Sequence, residues 1–198
     1  MGDRRAVTRP ERRSPRLRGY DYRQPGLYFV TIVTADRQLV FGEIHDHAMA
    51  LSEIGELARA CWEAIPEHHV GVELDAFVVM PNHVHGLIAL TGASPHDAPP
   101  DSTRRDGIYP VPDTMYGVPT PTSDGHKGVS LSTVVGTYKA AVTRARNRQF
   151  TTPGAPLWQP RFHDRIVRLR NPDELANIRR YIGENPARWH KDREHPAR

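Results

Sequence analysis

The stretch Val72-Glu73-Leu74-Asp75-Ala76-Phe77-Val78-Val79-Met80-Pro81-Asn82-His83-Val84-His85-Gly86-Leu87-Ile88-Ala89-Leu90 decides the fold. Two apolar runs, Val72–Met80 and His83–Leu90, flank the dipeptide Pro81-Asn82. A proline and an asparagine between β-type runs suit a tight connection, so the stretch predicts an antiparallel hairpin. Side chains alternate along a strand, so His83 and His85 share one face while Val84 points into the opposite layer.

Upstream, Leu27-Tyr28-Phe29-Val30-Thr31-Ile32-Val33-Thr34 is β-branched and aromatic, bounded by Pro25-Gly26 and Ala35-Asp36, and reads as a strand. From about Ala48 to Ala64 the apolar positions Leu51, Ile54, Leu57, Cys61 and Ile65 recur every three or four residues. That spacing predicts an amphipathic helix with Cys61 on its buried stripe, a small core residue rather than a nucleophile. Downstream, Leu131, Val134, Val135, Tyr138, Val142 and Ala145 carry a second helical period behind Ser130, a candidate N-cap. Leu157–Val167 reads as a loop entering a short strand. A last helix starts at Asn171-Pro172-Asp173-Glu174, follows Leu175, Ile178 and Ile182, and is expected to stop before Pro186. The order β-α-β-β-α-β-α predicts an α+β fold, an antiparallel sheet with helices packed on it, of the ferredoxin-like split type.

A chain of 198 residues and 22.4 kDa suits one domain with extensions. The expected division is a basic flexible arm at 1–19, a single domain at 20–190 and a C-terminal tail at 191–198. Residues 92–128, rich in proline and glycine and without a sustained period, read as an inserted loop. No apolar run approaches the roughly 20 residues that span a bilayer. No hydrophobic stretch follows the arginine-rich N-terminus, which argues against a secretory signal. The single cysteine excludes an intramolecular disulfide framework and a multi-cysteine zinc cage. A cytoplasmic, nucleoid-associated protein, monomeric or homodimeric and without a membrane partner, is the expectation.

Net charge is +4, but it is unevenly spread: +5 over residues 1–18, −9 over 19–138 and +8 over 139–198. Two basic ends around an acidic middle suggest a polyanion gripped from both termini, against the plainer reading of solvated basic tails.

Two imidazoles about 7 Å apart along one strand face can converge on one metal ion, with a third ligand from elsewhere in the fold. Two surface histidines are the plainer account of the same triplet. On the last helix Tyr181 and Asn185 are four residues apart and share a face. Spacing alone equally allows Tyr181 to be an apolar anchor beside Ile178 and Ile182. Tyr138, the rival tyrosine, lies on a core stripe.

The stretch Val78–Leu87 with its Pro81-Asn82-His83-Val84-His85 centre, followed by Tyr181-Ile182-Gly183-Glu184-Asn185-Pro186, resembles the HUH single-tyrosine transposases, and more narrowly the REP-associated tyrosine transposases. Gly19-Tyr20-Asp21-Tyr22, the first strand and Leu157-Trp158-Gln159-Pro160-Arg161-Phe162-His163-Asp164 resemble that branch as well. The likeness covers most of residues 14–190 in the right order, although the 92–128 insertion is longer and richer in proline than the family leads one to expect.

The resemblance implies a metal-dependent single-stranded DNA endonuclease and strand transferase. His83, His85 and Asn185 would hold Mg²⁺ or Mn²⁺, and Tyr181 would attack the scissile phosphate to leave a 5′-phosphotyrosine. Asp75, on the preceding strand, is an alternative third ligand, or a plain surface carboxylate. The substrate would be single-stranded, hairpin-forming DNA. Trp158 and Phe162, interleaved with Arg161, Arg165, Arg168 and Arg170, have the composition of a surface that stacks bases and pairs phosphates, or else the two aromatics belong to the core. Arg179 and Arg180 beside Tyr181 are read as facing phosphates, and Arg16 and Arg18 in the arm as adding salt-sensitive affinity. Two alternatives remain: a non-catalytic binder of hairpin nucleic acid, and a metal hydrolase that uses the histidines without a covalent step.

Overall fold

The computed structural model describes residues 20–92, 128–151, 154–168 and 172–197. The expected arm at 1–19 with Arg16 and Arg18, nearly all of the 92–128 insertion, Arg170 and the Asn171 cap lie outside them.

The central sheet has four strands in the order β4-β5-β1-β6: β1 (Gly26–Val33), β4 (Val72–Met80), β5 (His83–Leu90) and β6 (His163–Val167). Every neighbouring pair is antiparallel. With α1 (Glu53–Glu63) between β1 and the β4–β5 hairpin, and α3 (Leu131–Gln149) between β5 and β6, the chain traces the expected ferredoxin-like split βαββαβ path. A short helix, α2 (Ile65–His68), follows α1, and α4 (Pro172–Glu184) follows β6.

Both faces of the sheet are covered, which is why the two inner strands, β1 and β5, read as near-continuous apolar runs. On one face Tyr28, Val30, Ile32, Val84 and Ile88 pack under Trp62 of α1 and Val134, Val135, Tyr138 and Val142 of α3. The Tyr138 hydroxyl donates to the Ala58 carbonyl at 3.2 Å, so this tyrosine is a core residue, as its stripe predicts. Ser130 caps α3, accepting from the Thr133 N–H at 3.1 Å. Cys61 is partly buried on α1, and burial pushes its thiol up to about 11. On the opposite face Leu27, Leu87 and Val167 meet Ile178 and Ile182 of α4. Full burial of such an aliphatic side chain contributes about 1.5–3 kcal/mol, and Ile182 is the most deeply buried apolar anchor of α4.

The helix expected from Ala48 starts later. Residues 48–51 are instead β3 (Ala48–Leu51), paired with β2 (Gly42–His45) in a separate two-stranded sheet. The two-residue turn Asp46-His47 has φ of 47° and 65°, the left-handed pair that a tight hairpin needs. Ser52 then sets the start of α1: its side chain accepts from the Gly55 N–H at 3.1 Å and donates to the Val40 carbonyl at 2.7 Å.

Trp158 is only 7% exposed and belongs to the first core, with its ring 5.2 Å from Phe41 and 5.7 Å from Tyr138. Its indole N–H donates to the Lys139 carbonyl at 3.1 Å. Of the two readings open for Trp158, base-stacking surface or core, its burial favours the core, which corrects its placement among the DNA-contacting residues. Phe162 likewise packs partly buried against that core.

Pro186 ends α4 at Glu184, but the chain does not leave the fold there. Asn185 keeps helical angles (φ −57°, ψ −43°), and a 3₁₀ segment, Pro186–Lys191, carries the chain on to Asp192 and Glu194, both buried.

Candidate metal and nucleophile site

β5 is flanked by β1 and β4, so its backbone is hydrogen-bonded on both sides. On the α4 face it presents His83 and His85, both buried, with ring centroids 4.4 Å apart. His85 lies opposite Thr31 of β1, whose hydroxyl is 2.8 Å from His85 Nδ1. That contact orients the ring and leaves Nε2 facing α4.

His83 is oriented by its neighbour. The Asn82 amide NH₂ donates to the carbonyls of Glu194 at 2.8 Å and Arg37 at 3.3 Å, so its Oδ1 faces His83 Nδ1 at 2.9 Å. Nδ1 must then carry the proton, because an amide oxygen only accepts. His83 Nε2 is left as a lone pair, buried and without a partner. Burial first, and the adjacent His85 second, push the His83 imidazole well below its ordinary value, which keeps it neutral, the form that ligates metals.

Asp192 completes the group. Ligand atoms of His83, His85 and Asp192 all lie within 4.8 Å of one another. Burial alone would raise the Asp192 carboxyl, but its interaction with the His85 imidazole and the hydrogen bond from the Glu194 N–H at 2.7 Å outweigh it and hold the group well below the usual carboxylate range. Asn185 Nδ2 donates to Asp192 Oδ2 at 3.2 Å, while Asn185 Oδ1 is buried with no partner. The fit to a divalent cation is good: two imidazoles, one carboxylate, an unpaired amide oxygen and no thiolate, with two of the donor atoms orphaned in a buried spot.

Tyr181 stands at the edge of this group, 42% exposed. Its hydroxyl is 3.1 Å from His85 Nε2 and donates to Asp192 Oδ2 at 3.2 Å. Phe29 braces it, edge-on at 6.1 Å between centroids, while stacking on His85 at 5.3 Å. Burial first, and the negative charge of Asp192 second, push the phenol up to about 12. The half-exposed ring therefore offers its oxygen at the mouth of the cation group.

Of the residues expected at the site, His83, His85, Tyr181 and Asn185 converge. Asp75 does not join them: Arg179 grips its carboxylate in a fork, Nε to Oδ1 at 2.9 Å and Nη2 to Oδ2 at 2.5 Å, tying β4 to α4. Arg179 is thus engaged with protein rather than facing solvent alone. Arg180 donates to Asn177 Oδ1 at 2.5 Å, and Arg165 pairs with Glu174 at 2.8 Å. Arg161 and Arg168 are exposed. Sequence reasoning missed Asp192, Thr31 and the orienting role of Asn82. Asn82 stood in the quoted motif but was read as a turn residue, Thr31 is revealed only by strand register, and Asp192 carries no periodic signal.

No protein-family model matches the chain. A Haemophilus influenzae protein of uncharacterised function is 32% identical over 186 residues, covering 91% of each chain. Among solved structures, a REP-associated tyrosine transposase bound to a REP hairpin is similar at a TM-score of 0.47 and 16% identity, covering 88% of this chain and 74% of that one. A candidate transposase from Deinococcus radiodurans is similar at a TM-score of 0.42 and 22% identity, covering 86% of this chain and 96% of that one.

Proposed function

For this chain, which belongs to one family with the Haemophilus influenzae protein, we propose a transposase-type activity: cation-dependent cleavage and transfer of single-stranded, hairpin-forming DNA by a tyrosine nucleophile. The observation that carries the reading is the Tyr181 hydroxyl at 3.1 Å from His85 Nε2, at the mouth of the His83–His85–Asp192 group. The motif resemblance described above supports the same assignment.

His83, His85 and Asp192, with the unpaired Asn185 Oδ1 beside them, are the residues that would hold Mg²⁺ or Mn²⁺. When bound, the cation supplies positive charge that polarises the phosphate and favours phenolate over phenol. Tyr181 provides the attacking oxygen. A bond forms between its Oη and phosphorus, the bond from phosphorus to the 3′ oxygen breaks, and the products are a 5′-phosphotyrosine and a 3′-hydroxyl. The phenolic proton already points at Asp192 Oδ2, the nearest carboxylate acceptor. Because the phosphodiester energy stays in the covalent link, a 3′-hydroxyl of another strand can reverse the step without a nucleotide cofactor. Exposed Arg161 and Arg168, and the arginines of the N-terminal stretch including Arg16 and Arg18, would pair with DNA phosphates.

The test mixes purified protein, labelled single-stranded hairpin oligonucleotides and Mn²⁺, and resolves the products on a denaturing gel. A slow-migrating covalent adduct is expected with wild type and not with Tyr181→Phe or His83→Ala. Cleavage by Tyr181→Phe would move the nucleophile elsewhere and favour a hydrolase. Binding with neither adduct nor cleavage would favour a non-catalytic hairpin binder.

A further inference from the structure

We propose that Arg37 and Glu194 form a positioning pair that holds Asp192 within reach of His83 and His85, so that cation affinity is set partly by an ion pair outside the ligand group. The inference rests on the metal reading above and deepens it.

Asp192 lies beyond α4, on a segment that no strand pairs with among the described residues. Its backbone N–H is held by the Trp189 carbonyl at 2.9 Å, at the end of the 3₁₀ segment, and its remaining anchorage to the sheet comes through Glu194. Glu194 provides two attachments. Its carbonyl accepts from Asn82 Nδ2 at 2.8 Å, and its carboxylate, 8% exposed, pairs with Arg37 Nε at 3.0 Å. Asn82 also donates to the Arg37 carbonyl at 3.3 Å, so three distant segments meet at one amide. Glu194 then hands the constraint on, because its N–H donates to Asp192 Oδ1 at 2.7 Å, leaving Oδ2 aimed at the histidines and Tyr181.

The Arg37 side of the contact is built with equal care. Asp36 and Arg37 hold φ of 51° and 55°, left-handed values that non-glycine residues adopt only when surroundings demand it. The turn is tied by the Arg37 N–H to the Thr34 carbonyl at 3.2 Å and by the Thr34 hydroxyl to the Gln38 carbonyl at 2.9 Å. Arg37 is thereby presented to a nearly buried carboxylate. Loss of either partner leaves Asp192 on a segment anchored by the Asn82 contact and its own local bonds, and groups that orient metal ligands typically change affinity 10- to 100-fold when removed.

The experiment titrates Mn²⁺ into the full chain, with free Mn²⁺ read by electron paramagnetic resonance. Wild type, Arg37→Met, Arg37→Lys and Glu194→Gln are compared, with thermal melts in chelator as a folding control. Arg37→Met and Glu194→Gln should bind about 10- to 100-fold more weakly at unchanged stoichiometry and a near-normal melt, whereas Arg37→Lys, which keeps the charge, stays near wild type. Wild-type affinity in both Arg37→Met and Glu194→Gln would overturn the pairing while leaving the metal reading intact. Equal weakening by Arg37→Lys and Arg37→Met would also overturn it, since shape rather than charge would then govern. Absence of Mn²⁺ binding by wild type would remove the metal reading and this inference with it.

Discussion

Gly86 sits one residue beyond His85 and opposite both Val30 and Phe77, at the middle of the sheet. A β-carbon there would lie 2.2 Å from Trp62 Cζ2, 2.7 Å from Cη2 and 3.0 Å from Cε2. Carbon atoms pack comfortably at about 3.5–4.0 Å, so the overlap exceeds 1 Å. Trp62 has no room to yield: it is fully buried, stacked on Phe77 at 5.7 Å and edge-on to Tyr138 at 5.2 Å. Nor can β5 slide, because it is bonded on both sides. Gly86→Ala should therefore cost about 3 kcal/mol, the upper part of the range for overpacking a core. In urea denaturation, with a slope of about 2 kcal/mol/M, the midpoint should fall by about 1.5 M. The same substitution in a Trp62→Phe background, where the colliding ring atoms are gone, should cost less than about 1 kcal/mol. A loss under about 0.5 kcal/mol for Gly86→Ala alone, or equal losses in both backgrounds, would refute the steric argument.

Thr31→Val should weaken Mn²⁺ binding about 10-fold with little change in fold, because it removes the hydroxyl that orients His85 Nδ1; unchanged affinity in a Mn²⁺ titration would count against that role. Asp75 is held below its usual range chiefly by the Arg179 hydrogen bond, so its folded value lies below the unfolded value near 3.9. The ion pair then stabilises above that unfolded value and is lost as pH falls through the folded one. The melting-temperature gap between wild type and Asp75→Asn at pH 7 should close in strong acid, and a gap that persists would refute the pairing. Cys61, its thiol raised to about 11 by burial, should react with iodoacetamide at pH 8 far more slowly in the native protein than in denaturing urea. Rapid native alkylation would mean that its stripe of α1 is open.

The ferredoxin-like order was legible because each of its main elements carries a local signal. The 72–90 hairpin shows apolar runs and turn residues together, and α3 shows both stripe and cap. The β2–β3 hairpin was not legible, since Leu51 and Ile54 fit a helical period as well as they fit a strand followed by a helix. Only the Ser52 cap and the left-handed Asp46-His47 turn decide between the two. At the site, His83, His85, Tyr181 and Asn185 were legible through spacing and motif. Asp192 was not, because a single carboxylate in a polar segment looks like any other until tertiary bonds through Glu194, Asn82 and Arg37 bury it. Trp158 went the other way: surrounded by basic residues in sequence, it is claimed by the core through Phe41 and Tyr138.

The two halves of the site belong to layers of unequal stiffness. His83 and His85 ride on a strand clamped along both edges, whereas Tyr181 rides on a helix fastened by a small patch around Ile178 and Ile182 and by two ion pairs at its rim, Arg179–Asp75 and Arg165–Glu174. Pairs exposed in this way hold a helix only weakly, because solvent screens them. In hydrogen exchange, the amides of α4 should accordingly open at lower free energy than those of β5. The two histidines therefore belong to the stiff layer, while Tyr181, Asn185 and Asp192 travel with α4 and the segment after it, so that opening of α4 would carry the proposed nucleophile and the remaining proposed ligands away from the histidines together.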